Sequence, residues 1–268
     1  MKAVVVGEIC IDNYLYPIRE KYVGGNATNV AVWLSRYGIE TSLVGAIGTD
    51  EEGKKVLNVL KNERVDISHL KIIPGVTAYS DIKVKDGERF IIKEEFGVAN
   101  SYQLSENDLN FIFEHNLIHI TLNGNDGINN YLNSINDKEL IVSFDYSEGN
   151  KIDFVKETLS FADIIFLSKA HLRIQEVEEL GKKIVNKGPK IAVITMGERG
   201  SIAFTKDSII RQSAVPVPKV IDTLGAGDAF IGAFLACILK NIPIKAALEE
   251  AALCASRVCQ HFGGWNPF

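Results

Sequence analysis

The chain runs to 268 residues, 46% of them hydrophobic and 24% charged, with acidic residues outnumbering basic ones 34 to 29. That length and hydrophobic content suffice for a large buried core and exclude a disordered chain. The acidic balance, without a dense Lys/Arg cluster interleaved with aromatics, excludes a polynucleotide groove as partner; the apolar run 229–239 is too short to span a bilayer; and an acid, Glu8, closely follows the first residue, so the expectation is a cytoplasmic protein with no membrane or nucleic-acid partner.

Strand-like apolar runs are expected at 3–6, 42–47, 117–122, 140–145, 163–167 and 191–195, separated by amphipathic stretches, an alternation that implies crossover connections and a largely parallel sheet. Asp12 is expected at the end of the first strand, where open α/β sheets bind ligands, and its carboxylate suits sugar hydroxyls; aspartates also commonly begin loops. Residues 13–23 look extended.

Gly24-Gly25-Asn26-Ala27-Thr28-Asn29 then leads into a helix expected at 27–37, with Val30, Trp33, Leu34 and Tyr37 on one face. Glycine permits close approach of a ligand to the backbone, and the Asn29 amide offers both donors and acceptors. Asn26 equally reads as a helix cap. Neither the G-x-G-x-x-G spacing nor a Walker sequence occurs, which makes a dinucleotide oxidoreductase remote.

Residues 76–96 also look extended, with Tyr79 to Val84 facing Arg89 to Ile92 across the turn-forming Lys85-Asp86-Gly87-Glu88. Together with 13–23 they are expected to form a small antiparallel subdomain, or two edge hairpins. No linker or internal repeat divides the chain, so one main domain over 1–268 with a protruding lid is the economical expectation. Thr195-Met196-Gly197-Glu198-Arg199-Gly200 ends a strand with spaced glycines and by itself reads as a strand-to-hairpin turn.

The strongest local signal is Asp222-Thr223-Leu224-Gly225-Ala226-Gly227-Asp228, followed by a helix apolar nearly all round over 229–239. The small side chains leave the peptide N–H groups of 225–228 bare at a helix start, where unpaired donors and the macrodipole favour an anion. Asp228 beside a phosphate is unfavourable unless the chemistry requires a proton acceptor there, as a hydroxyl nucleophile does. The alternative is a plain N-terminal cap on a tight turn. A last helix is expected over 250–262, with Ala251, Ala252, Ala255, Val258, Cys259 and Phe262 on one side. The four cysteines (Cys10, Cys237, Cys254, Cys259) have no zinc spacing and read as reduced, mostly buried hydrophobes.

Residues 24–38 and 222–234, in this order and some 200 residues apart, resemble the two signatures of the ribokinase-like (PfkB) carbohydrate kinase family. Within it, Gly7 to Asp12, Val65 to His69, Gly75 to Ala78 and Gln260 to Trp265 resemble the branch acting on fructosamines such as fructoselysine. The resemblance implies a three-layer α/β/α, mostly parallel sheet with a small β lid, ATP with Mg²⁺, and phosphorylation of a ketose-amine at O6. It implies Asp228 as base, Gly225, Ala226 and Gly227 as anion hole, Asp12, Gly25 and Asn29 as sugar contacts, and Thr195, Gly197 and Gly200 along the nucleotide. A small-molecule sugar or sugar-amine is then the partner, with a homodimer left open. Other PfkB sugar kinases, a nucleoside kinase and, more remotely, a non-catalytic sugar sensor are the rivals.

One departure stands out. Where the family carries Asn-x-x-Glu to organise metal-bound water, this chain has Ser168-Lys169-Ala170-His171, so no protein metal ligand is assigned; nucleotide and water, or nearby Glu176 or Glu178, are the options. Lys219 and Arg199 are the candidate cations near the glycine-bearing loops, and nothing in the sequence aims them at a site.

Overall fold

The first strand, β1 (Lys2–Val6), already splits the molecule in two: Ala3 and Val5 enter one apolar cluster, Val4 and Val6 another. A strand buried on both faces reads as a continuous apolar run and needs helices above and below it. The computed structural model, which describes residues 1–121, 140–148 and 159–265, supplies them.

After β1 come β2 (Cys10–Tyr16), β3 (Glu20–Gly24), α1 (Asn26–Arg36), β4 (Glu40–Gly48), α2 (Glu51–Asn62), β5 (Leu70–Ile73), β6 (Ala78–Lys85), β7 (Glu88–Glu95), α3 (Glu106–Ile112) and β8 (Leu117–Thr121). Then follow β9 (Ile141–Asp145), β10 (Ile164–Ser168), α4 (Ile174–Val185), β11 (Ile191–Thr195), β12 (Ser201–Phe204), β13 (Ile209–Gln212), α5 (Ala226–Leu239) and α6 (Ile244–Val258). Residue 122, where the third expected strand was to end, lies outside the described residues.

The large sheet has the order β13-β12-β11-β10-β9-β8-β1-β4-β5, parallel from β11 to β5, with β12 and β13 antiparallel at one edge. Helices α1, α2, α5 and α6 cover one face; α3 and α4 cover the other. The fold is thus the expected three-layer α/β/α arrangement. The near-uniform apolarity of α5 follows from its place, packed against both α1 and α6 as well as the core.

A second sheet of four strands, β3-β2-β6-β7, stands beside it. It begins earlier than expected, at Cys10, and is not purely antiparallel: the two hairpins join through a parallel β2–β6 pairing. Asp12 therefore lies inside a strand of this small sheet, not at the end of the first strand. Its base is tied to the main body by Asp50, which caps α2 through Gly53 N (3.0 Å) and accepts from Thr77 N (2.9 Å) and Thr77 Oγ1 (2.6 Å). Its flank docks through Tyr14, Ile82 and Val84 onto Leu224 and Phe262.

The helix ends also moved. Gly25, not Asn26, caps α1; α6 starts at Ile244 rather than 250 and stops at Val258, which leaves Phe262 free to pack on the small sheet. All four cysteines are free thiols, three of them buried.

Candidate active site

The strands β8 to β11 end, at their carboxyl edge, in Thr121, Asp145, Ser168 and Thr195. Open parallel sheets bind ligands along this edge. The two glycine-bearing helix starts, at α1 and α5, converge beside it.

Gly25 (φ 94°) turns the chain from β3 into α1; a Cβ there would stand 2.6 Å from the Glu8 carbonyl oxygen, so only glycine lets the strand end pass this close. One turn into α1, Asn29 is buried. Its Nδ2 donates to Asp228 Oδ2 at 2.6 Å, across 199 residues of sequence, and its Oδ1 has no hydrogen-bond partner among the described residues.

Asp228 sits in the first turn of α5, whose cap is Gly225 in the left-handed conformation (φ 74°). It is therefore not the helix cap. Ala226 N donates to Thr223 O and Ala229 N to Gly225 O, leaving the amides of Gly227 and Asp228 without a backbone acceptor among the described residues. A Cβ built on Gly227 meets no atom of the described residues within 4 Å, whereas one on Gly225 would lie 2.4 Å from Gly264 Cα. The open space that suits a phosphate is thus over Gly227, and Gly225 is a glycine for reasons of packing and backbone angle. Bare amides, a helix start and free volume fit the triphosphate of a nucleotide.

Asp12 is 4% exposed, with its carboxylate pressed against Gly24, where a Cβ would stand 1.9 Å from Oδ2. Oδ1 accepts from the Cys10 thiol (3.7 Å), and Oδ2 has no hydrogen-bond partner among the described residues. Burial pushes the Asp12 carboxyl up to about 7; Arg89 on β7 draws it down and the Asp228 charge raises it. Burial likewise pushes Asp228 up to about 7, against the lowering effect of the Asn29 hydrogen bond, with Asp145 raising it further and Arg89 lowering it. Two carboxyls poised near neutrality in one cleft are suited to proton transfer.

Asp12, Gly25, Asn29, Gly225, Ala226, Gly227 and Asp228 are therefore gathered in one place. Thr195, Gly197 and Gly200 occupy the turn from β11 into β12. Gly197 (φ 61°) has room above it, while Gly200 (φ 85°) is demanded by the Gln212 carbonyl oxygen, 2.1 Å from where a Cβ would be. Of the cations singled out in the sequence, Arg199 is spent on the carbonyls of Ala170 and Leu172 (2.6 and 2.8 Å), and Lys219 is exposed.

Around the departed metal motif, Lys169 is buried and its Nζ donates to the Glu148 carbonyl (2.9 Å); His171 is exposed. Glu176 is engaged with Arg173 at the start of α4, and Glu178 pairs with Arg211. No group of three His, Cys, Asp or Glu that could hold a metal occurs among the described residues.

Several participants were not legible in the sequence. Asp222 is fully buried, accepts from Leu224 N (3.0 Å) and Tyr14 OH, and so fixes the loop before Gly225. Gly264 packs on Asn29, its Cβ position 2.7 Å from Oδ1, and its carbonyl accepts from Trp33 Nε1 (3.0 Å). Arg89 reaches the site only through the fold. Two of these had a signal: Asp222 opens the motif that ends in Gly-Ala-Gly-Asp, though its anchoring role was not readable, and Asp145 closes an expected strand at the ligand-binding edge.

The pfkB family carbohydrate kinase model matches residues 2–268. A fructoselysine 6-kinase of Escherichia coli (strain K12) is 32% identical over 264 residues, 97% of this chain and 98% of that protein. A fructosamine kinase of Bacillus subtilis (strain 168) is 32% identical over 275 residues, 99% of this chain and 93% of that protein. Among solved structures, an Arabidopsis thaliana ribokinase complexed with ribose and ATP superposes with a TM-score of 0.83 at 21% identity, covering 98% of this chain and 93% of that one. The chain belongs to the pfkB family of carbohydrate kinases.

Proposed function

We propose that this pfkB-family carbohydrate kinase transfers the γ-phosphoryl group of ATP to O6 of a fructosamine such as fructoselysine, with Asp228 as the base. The observation that carries the chemistry is the buried Asp228 carboxyl, raised to about 7 and oriented by Asn29 at 2.6 Å, beside open space over Gly227. The substrate class is supported by the two relatives at 32% identity over nearly the whole chain.

When bound, ATP with Mg²⁺ supplies the phosphoryl group and neutralises charge on its oxygens. The protein does the rest. Asp12 and Asn29 hold the sugar hydroxyls, Asn29 through the amide oxygen that has no other partner among the described residues. Asp228 takes the proton of the attacking hydroxyl, for which a base near neutrality is best matched. Of the expected anion hole of Gly225, Ala226 and Gly227, the Ala226 amide is already engaged with Thr223 O, so the bare amides of Gly227 and Asp228 donate to the transferring group, stabilising charge as it develops. Thr195, Gly197 and Gly200 would line the nucleotide, whose oxygens, with water, would hold the metal. The small sheet excludes water that would otherwise accept the phosphoryl group.

A coupled ADP-release assay with fructoselysine, fructose, ribose, adenosine and cytidine tests this, with the product position read by phosphorus NMR. The expected result is the highest kcat/KM for fructoselysine and phosphate on O6. A nucleoside as best substrate replaces the reading with a nucleoside kinase. ATP binding without ADP release on any acceptor replaces it with a sugar sensor.

A further inference from the structure

The small sheet presents a charged row to the site. In register across its strands lie Tyr22 on β3, Asp12 on β2, Ser80 on β6 and Glu94 on β7. Residues paired across a sheet share a face, so Glu94 stands on the same side as Asp12 with one strand between them. That face is the inner one: Ser80, Ile82 and Val84, alternating along β6, are buried, while Lys83 and Lys85 are exposed. Past the register shift in β7, Ile91 opposite Ile82 and Arg89 opposite Val84 continue it.

Two features set Glu94 apart. It is exposed, and among the described residues no cation pairs with it, although its neighbour Lys93 donates to Tyr79 OH. Its charge nevertheless reaches inward, helping to raise the buried Cys10 thiol beside Asp12. Beside it in the row, Asp12 Oδ2 belongs to a residue 4% exposed and has no hydrogen-bond partner among the described residues, which marks the row as ligand-binding.

We infer that Glu94 is a specificity-determining residue that pairs with the substrate's amine while Asp12 holds its ring hydroxyls. The inference rests on the fructosamine reading and deepens it. Strands two apart are separated by about 10 Å. Two polar contacts of about 3 Å each leave about 4 Å, the breadth of a sugar ring. A ketose anchored on Asp12 thus offers its C1 substituent to Glu94. In a fructosamine that substituent is a cation; in free fructose it is a hydroxyl, which gains much less from a carboxylate. The surrounding charge favours the same choice, since Glu8, Asp145 and Asp228 share the cleft with a single cation, Arg89, among the groups whose charge reaches Asp12 and Asp228.

The test measures kcat/KM for fructoselysine, the parent fructosamine and free fructose with wild type, Glu94→Gln and Glu94→Asp. Because Glu94 is exposed, both variants should fold, which thermal melting verifies. Glu94→Gln should lower kcat/KM for both amines by about 10- to 100-fold, through KM, and leave fructose and the KM for ATP within about twofold. Glu94→Asp should recover part of the loss. Preserved amine preference in Glu94→Gln, or equal losses on amine and neutral sugar, overturns the role of Glu94 and leaves the fructosamine reading standing. A wild type with no preference for the amines overturns both.

Discussion

Asn29 donates to Asp228 at 2.6 Å, so α1 and α5 are joined by a hydrogen bond between two buried side chains. The contact does two things at once: it points the carboxylate, and it holds down a pKa that burial raises. Removing it in Asn29→Ala should let the Asp228 pKa rise above about 7. A base must be deprotonated to work, so activity falls as pH drops through its pKa. The acidic limb of the kcat/KM profile should therefore move to higher pH, with a larger relative loss at pH 7 than at pH 9. An unmoved limb would separate Asn29 from the tuning of Asp228.

Asp228→Asn keeps the shape of the side chain and removes its basicity. Turnover should fall by about 10²- to 10⁴-fold, the contribution of a positioned base, with ATP affinity retained. Single-turnover kinetics together with nucleotide titration check this; near-normal turnover would remove Asp228 from the reaction.

Asp12 makes an opposite prediction for stability. Its folded carboxyl lies at about 7, above its ordinary value, so the folded state binds the proton more tightly than the unfolded one. The associated stability is present at low pH and lost as pH rises through about 7. Asp12→Asn should then melt higher than wild type at pH 8, by at least about 2 °C for each kcal/mol relieved, and the difference should shrink toward pH 5. The same variant should raise KM for the sugar. Melting curves at the two pH values decide it.

The glycines of the anion loop separate cleanly by mechanism. Gly225→Ala places a Cβ 2.4 Å from Gly264 Cα on a left-handed residue, so it should lower the melting temperature and disturb the loop. Gly227→Ala meets nothing among the described residues within 4 Å and should fold normally, yet raise KM for ATP by filling the open space. Equal stability of the two variants, or an unchanged ATP KM in Gly227→Ala, would contradict this division.

Much of this architecture is readable without coordinates, because parallel strands buried on two faces leave long apolar runs, and because a Gly-Ala-Gly-Asp helix start has few uses. What escapes is whatever depends on long-range pairing. Asp12 looks like the end of the first strand, but Gly7 and its neighbours end that strand early and a new one begins at Cys10. Gly225 looks like the seat of the phosphate until Gly264 arrives from the far end of the chain to occupy its Cβ position. Arg89 is one basic residue among many until the β6–β7 hairpin turns its charge toward the two site aspartates. Arg199, sequence-adjacent to a candidate nucleotide turn, is instead a brace for neighbouring loops.

The segment 263–265 has a consequence for the order in which the enzyme comes into being. Gly263 N donates to Tyr14 OH (3.0 Å), the Gly264 carbonyl takes the Trp33 indole, and the Trp265 carbonyl takes Arg36 Nη1 (2.8 Å), so these late residues clasp the earliest parts of the cleft. A chain still emerging from the ribosome can assemble β1, α1 and the sheet around them, but the backing that Gly264 gives Asn29 and Gly225 waits until that residue is translated. A nascent chain stalled before Gly264 thus holds the strands of the fold while the candidate site lacks this clasp.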